Sequence, residues 1–547
     1  MYRKSEIEKQ KEHGPTAGSL LGERTRKMFD DPLGWHNQFR QQITNRIDED
    51  IFKPLFNETM GAPNAPIRIL VAMMVLKEGM GISDERLYEE CRFNLKTRSA
   101  LGLVNMDDEI PVESTYYLFR KRIVEYEEAT GTNLLNEAYR KTTKEQCLEF
   151  GVAGKRLRMD SKLLGSNLAW FTRYEIVHET IIKFSSTCTV VLTKLNEDER
   201  ALLEEIQGEA GRNVSYRSTK EELAARMLAL GLLIYWLLKE PLAENEPDYA
   251  LLQRVFNEQY VLDVSPGVGD EKKVRVREKS ELPPASTVVT NPHDTEAEYR
   301  TKGGKTITGY SVNVTETCDK DMLNLIVDVQ TEGAGASDQG YLESAVENAK
   351  GIIAGTVEEL YTDGGYHSVD NQKYCRNEGI DWTLRGISGK PSKYDLSYDE
   401  NGELVVFNTE TKQTISAKRS KTKDPTGPVR WVIKDGERAS IYFEDKDVVV
   451  CALRKKIAEL PKEKLNIRNN VEATIFQLGY HYDGNKSSYR GLIKHRLWAI
   501  SRCLWINCRR ITAWISGKGA EASADVGLIL TYFELYFCKI PFILKFV

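Results

Sequence analysis

The sequence lacks any hydrophobic run long enough to cross a bilayer. Its most apolar stretch, Met227–Leu238, is twelve residues long and is bounded by Arg226 and Lys239, whereas a helical span takes about 20. It lacks an apolar segment at its start, where MYRKSEIEKQKEHG is polar, so no secretory leader is expected. It lacks paired cysteines. Nine are scattered, and the closest two are Cys503 and Cys508, which predicts reduced thiols in a cytoplasmic protein and no zinc cluster. It also lacks a basic excess. With 76 Lys and Arg against 81 Asp and Glu, the net charge of -5 excludes a uniformly basic nucleic-acid binder but not a local basic face. No internal repeat is present.

What is there is an ordinary globular composition, 41% hydrophobic and 29% charged over 547 residues, enough for about three or four domains, or fewer with large insertions. Residues 1–45 are polar, with Gly and Pro, and predict a flexible N-terminus. From 46 to 145 the text is helical. IRILVAMMVLKE follows Pro66, a favoured first-turn residue. DERLYEECRFNL follows Ser83 as N-cap, and STYYLFRKRIVEYEE begins near Ser114. Arg92, Lys96, Arg98, Arg120, Lys121 and Arg122 in this domain suit either solvated helix faces or a DNA-contacting module.

KRLRMD (155–160) reads as a strand ending in an acid. Residues 171–290 read as a helical insertion and linker, with the capping pattern Ser218-x-x-Glu221 ahead of a long apolar helix. Glu197 to Asp263 holds 14 acids and 7 bases, too acidic to follow a phosphate backbone. TITGYSVNVT (306–315), LNLIVDVQ (323–330), VEELYT (357–362) and IDWTL (380–384) are strand-like. Helices are expected over 340–353 and 369–377. Residues 391–460 carry more short strands. Residues 461–547 hold a helical region and an apolar tail, with 526–547 expected to pack. The order describes a mixed α/β sheet, residues 146–170 and 291–390, interrupted by two insertions.

Three acids stand out. Asp160, at a strand end, could reach a metal from a cleft edge. Asp363, in YTDGGYHS, repeats the arrangement beside two glycines that allow a sharp turn. Glu472 adjoins the apolar face formed by Val471, Ile475 and Leu478, with Arg468 one turn earlier. Taken singly, each Asp reads as readily as a turn, and Arg468–Glu472 as a surface i, i+4 pair. Lys486–Arg510 then holds seven Lys or Arg and no acid, with Tyr489, Trp498 and Trp505 interleaved. Its readings are a helix following DNA phosphates or an amphipathic helix with a solvated basic face.

Together these residues resemble bacterial insertion-sequence transposases of the DDE class, nearest insertion-sequence family eleven-eighty-two and close to families four and five. Residues 56–122 resemble the helical N-terminal domain of that group, and NPHDTEAEYRTKGGKTITGY its approach to the second core strand. Leu465 and Gly479 depart from the group, which often has Tyr and Lys there. The resemblance implies a ribonuclease-H-like core preceded by an all-helical DNA-binding or dimerisation domain. It implies catalytic, metal-binding roles for Asp160, Asp363 and Glu472, and DNA contacts by Arg468, Arg490, Lys494, Arg496 and Arg502. Two Mg²⁺ ions, with Mn²⁺ as a substitute, would activate the attacking oxygen and stabilise the leaving one. The partners implied are double-stranded DNA (terminal inverted repeats and target) and a second copy of the chain, with no membrane, in the bacterial cytoplasm at the nucleoid. A catalytically inactive DNA-binding regulator and a nuclease on the same fold are the alternatives.

Overall fold

The computed structural model describes the chain except residues 6–15, 17, 265–271, 286, 303, 388–391, 421–428, 435–439, 482–484 and 519–547. The tail expected to pack over 526–547 lies outside the described residues. Order begins ahead of residue 45, where a flexible terminus was expected. Trp35–Phe39 and Arg40–Thr44 are helical, and Phe39 and Ile43 are fully buried. Their four-residue spacing gives this stretch a packing face.

Helix α1 (Ile67–Met80) has buried residues all around it, as its unbroken apolar text requires. Gly81 closes it at φ 64°, a left-handed conformation that favours glycine. Helix α2 (Asp84–Phe93) is capped by Ser83, whose Oγ accepts from Arg86 N at 3.1 Å. Helices α3 (Glu113–Thr130) and α4 (Leu134–Glu149) follow.

The sheet is built from β1 (Arg156–Gly165), β2 (Glu298–Lys302), β3 (Lys305–Thr317), β4 (Ile326–Gly333), β5 (Glu359–Thr362) and β6 (Asp381–Leu384). β3 pairs antiparallel with β1, β2 and β4. β1–β5 and β5–β6 are parallel. The result is the mixed sheet expected from the strand order.

Between β1 and β2 lies the helical insertion, with α5 (Arg173–Thr187), α6 (Lys220–Lys239) and α7 (Tyr249–Gln259) around their own apolar core. The cap of α6 is Thr219 with Glu222, one residue later than the Ser218/Glu221 pattern suggested, because the helix starts at Lys220. Between Tyr394 and Glu444 the described residues include two small antiparallel three-stranded sheets, again with a separate core.

Last come α8 (Asn469–Gly479) and α9 (Leu492–Ala513). α9 is central, not peripheral. Trp498, Cys503 and Leu504 share one apolar core with α1, α3, α4, β3 and β4. Asn507 bonds both the N–H and the carbonyl of Ile326 on β4, each at 2.8 Å. The N-terminal helices and the sheet are therefore a single packed unit. Among the described residues, the eight cysteines are free, and no helix is long and apolar enough to cross a membrane.

Candidate active site

The parallel register of β1 and β5 brings the first two acids together. It pairs Leu157 with Leu360 and Arg158 with Tyr361. Continued by two residues, it sets Asp160 opposite Asp363. Asp160 is mid-strand on β1, not at its end as expected. It is the pairing with β5 that stops short, and this opens the cleft. Asp363 caps a short turn, accepting from Gly365 N at 2.8 Å. The following glycines are there for want of space. A Cβ on Gly364 would overlap the Gly386 carbonyl, and one on Gly365 would lie 2.9 Å from Asp338 and 3.0 Å from Asp363.

α8 packs over β1 and brings the third acid. Arg468, at its start, is only 8% exposed. It lies 2.7 Å from Asp160, 3.9 Å from Asp363 and 3.2 Å from Glu472. Arg385, just after β6, reaches Glu472 at 3.2 Å. α8 is held down by Glu316 of β3, which is fully buried and meets Arg158 at 2.5 Å, Arg510 at 2.7 Å and Thr474 at 2.7 Å. Burial would lift the Glu316 carboxyl, but the two guanidiniums hold it below the usual range. Burial lifts the Asp160 carboxyl and nearby Asp363 adds to the rise, while Arg468 opposes it.

An open cleft of about 520 Å³ beside these acids is lined by Arg300, Asp338, Asp363, Arg385 and Arg468. Asp338 is buried and accepts from Ser161 Oγ at 2.8 Å. Asp338, Arg300 and Arg385 were not singled out in the sequence. Each stands alone in loop or strand text with no spacing signal, and only the fold brings it to Asp363.

The donor set is three carboxylates, which suits a hard divalent cation. Among the described residues, no three metal-capable side chains close around a common point. The acids instead share the Arg468 cation, so their chemistry and convergence fit a metal while their present spacing serves the guanidinium.

The DNA-contact expectations divide. Arg490 and Lys494 are exposed. Arg468, expected as a DNA contact, is buried and pairs with the acids. Arg502 is 2% exposed and donates to the carbonyls of Leu478, Glu78 and Gln477. Arg496 pairs with Glu127 at 2.9 Å and Glu332 at 3.1 Å. Within Lys486–Arg510, then, Arg496, Arg502 and Arg510 have partners inside the protein, while Arg490 and Lys494 face outward. In the N-terminal helices, Arg98 is likewise buried against carbonyls and Arg120 pairs with Asp84 at 3.2 Å.

Residues 28–122 match the family model described as Transposase domain (DUF772), and residues 270–508 match that described as Transposase DDE domain. The second match contains Asp363, Arg468 and Glu472 and begins after Asp160. No curated protein and no solved structure matches the chain. The two matches support a transposase of the DDE type.

Proposed function

We propose that this chain, carrying the two matched transposase domains, cuts the ends of its own insertion sequence and joins them to target DNA. The observation that carries the reading is the convergence of Asp160, Asp363 and Glu472 on one cation, Arg468, at the edge of an open cleft. Two antiparallel pairings followed by two parallel ones support a ribonuclease-H-like core. The N-terminal text supports the insertion-sequence group near family eleven-eighty-two.

The DDE class uses divalent metal. Asp160, Asp363 and Glu472 would hold Mg²⁺, or Mn²⁺ in its place, which would supply the positive charge that attack on a phosphodiester needs. Arg468 offsets the mutual repulsion of the carboxylates and keeps them within reach of one another. Arg300 and Arg385 line the cleft where a phosphate would lie. Water attacks phosphorus at the end of the inserted DNA, and the bond to the flanking strand breaks to leave a 3′-hydroxyl. That hydroxyl attacks a target phosphodiester, one P–O bond forming as another breaks. Pairing two DNA ends calls for two copies of the chain.

The test is strand cutting of a labelled duplex carrying the insertion-sequence end, with Mg²⁺ or Mn²⁺, by the unmodified chain and Asp363→Asn. We expect metal-dependent cutting that falls to background in the variant while duplex binding persists. Equal cutting by both proteins would overturn the assignment of the acids.

A further inference from the structure

We propose that Lys162, two residues along β1 from Asp160, is a phosphate-binding residue at the margin of the DNA cleft, its stem accommodated by the absence of a side chain at Gly479. The proposal rests on the DNA-cutting reading above. On β1, side chains two residues apart share a face, so Arg158, Asp160 and Lys162 all turn toward α8. Arg158 confirms this by donating to the Ile467 carbonyl at 3.0 Å, and Asp160 by meeting Arg468 at 2.7 Å. Glu472 and Gly479, seven residues apart, lie on one face of α8. That face therefore carries Glu472 and Arg468 over Asp160, and Gly479 over Lys162.

The fit at Gly479 is tight. A Cβ there would stand 2.5 Å from Lys162 Cε and 2.7 Å from Nζ. A side chain at 479 would require the tip of Lys162 to move. Gly479 is the buried last residue of α8 and leaves room for the Lys162 stem.

Lys162 is only partly exposed, and its ammonium forms no hydrogen bond or ion pair among the described residues. A second cation stands close by, because Arg502 donates to the carbonyls of Gln477 and Leu478, next to Gly479. A half-buried cation with a cation for a neighbour is unfavourable in the free protein. An anion relieves it, and an anion on the same face as the acids, in a protein that handles DNA, is a backbone phosphate. Arg468 and Arg502 are already spent on carboxylates and carbonyls. Lys162 is thus the cation on this face left for substrate.

Salt-dependent binding tests this directly. Each phosphate neutralised adds about 0.9 to the slope of log affinity against log salt. Lys162→Gln should therefore lower the slope for a duplex by about 0.9, so that the loss of affinity between 50 and 200 mM salt shrinks about 3.5-fold. Lys162→Arg should keep the slope. Amine labelling of the unmodified chain is the second measurement and needs no variant. Lys162 should react in the free protein and be protected once duplex is bound. An unchanged slope in Lys162→Gln, or equal labelling with and without bound duplex, overturns the proposal and leaves the DNA-cutting reading standing. No salt-dependent duplex binding by the unmodified chain overturns both.

Discussion

The carboxyl of Asp328, on β4, is 4% exposed and accepts from Gln330 Nε2 at 2.7 Å. Burial pushes it up to about 7, against weaker opposition from Gln330, Asn348 and Arg140. Its sign is therefore the reverse of a salt-bridged acid. The folded chain keeps a proton that the unfolded chain releases near the ordinary Asp value of about 3.9. The stability it contributes is complete below about pH 4 and is lost as pH rises to about 7. Asp328→Asn cannot ionise, so its stability relative to the unmodified chain should climb by a few kcal/mol between pH 4.5 and 7.5. Urea unfolding at the two pH values measures this. A constant difference between the two proteins would show that Asp328 is ionised throughout. Burial of this kind was not legible in LNLIVDVQ, where alternation gives a strand but not the cover over its polar face.

At the scale of helices, the crossing of α1 and α9 sets how the N-terminal domain meets the sheet. It is made at Gly79, where a Cβ would overlap the Trp505 indole. Trp35 and Phe39 pack the same indole at 6.3 and 5.8 Å between ring centroids. Glycine to alanine inside a helix ordinarily stabilises by roughly 0.5–1 kcal/mol. Here overpacking should win, and Gly79→Ala should destabilise by about 1–3 kcal/mol. A melting midpoint raised by the substitution would mean the helices can separate at no cost. The helices themselves were readable, because Pro66, Ser83 and the apolar periods act locally. What α9 does was not. Charge counting found seven cations and no acid, yet Glu316, Glu127, Glu332 and the carbonyls that pair with Arg510, Arg496 and Arg502 lie far away in sequence. The acid triple was legible as text, but the Arg468 bridge depends on the β1–β5 register and on α8 lying over β1.

Across the whole molecule, two kinds of attachment coexist. The helical insertion has its own core of residues such as Val177, Ile234 and Val255, and its ends meet where Asn291 Nδ2 donates to the Ala169 carbonyl at 3.1 Å. Joining ends already in contact costs little loop entropy. The N-terminal helices have no core of their own. Val71, Tyr116 and Leu135 lie in one cluster with Val312, Ile326 and Leu504. The sequence marked both as separate domains because periodicity shows that an apolar face exists and not what covers it. The fold predicts different outcomes for their removal. A chain with residues 172–289 replaced by a short Gly/Ser linker should stay folded, with slow hydrogen exchange at β1 and β3 amides. A chain lacking residues 28–122 should lose that protection and aggregate, since it would expose the apolar sides of β3, β4 and α9. Retained exchange protection in β3 after the N-terminal deletion would show that the sheet carries a sufficient core alone. Loss of protection on excising the insertion would show that its helices, and not the N-terminal ones, complete the core around the acids.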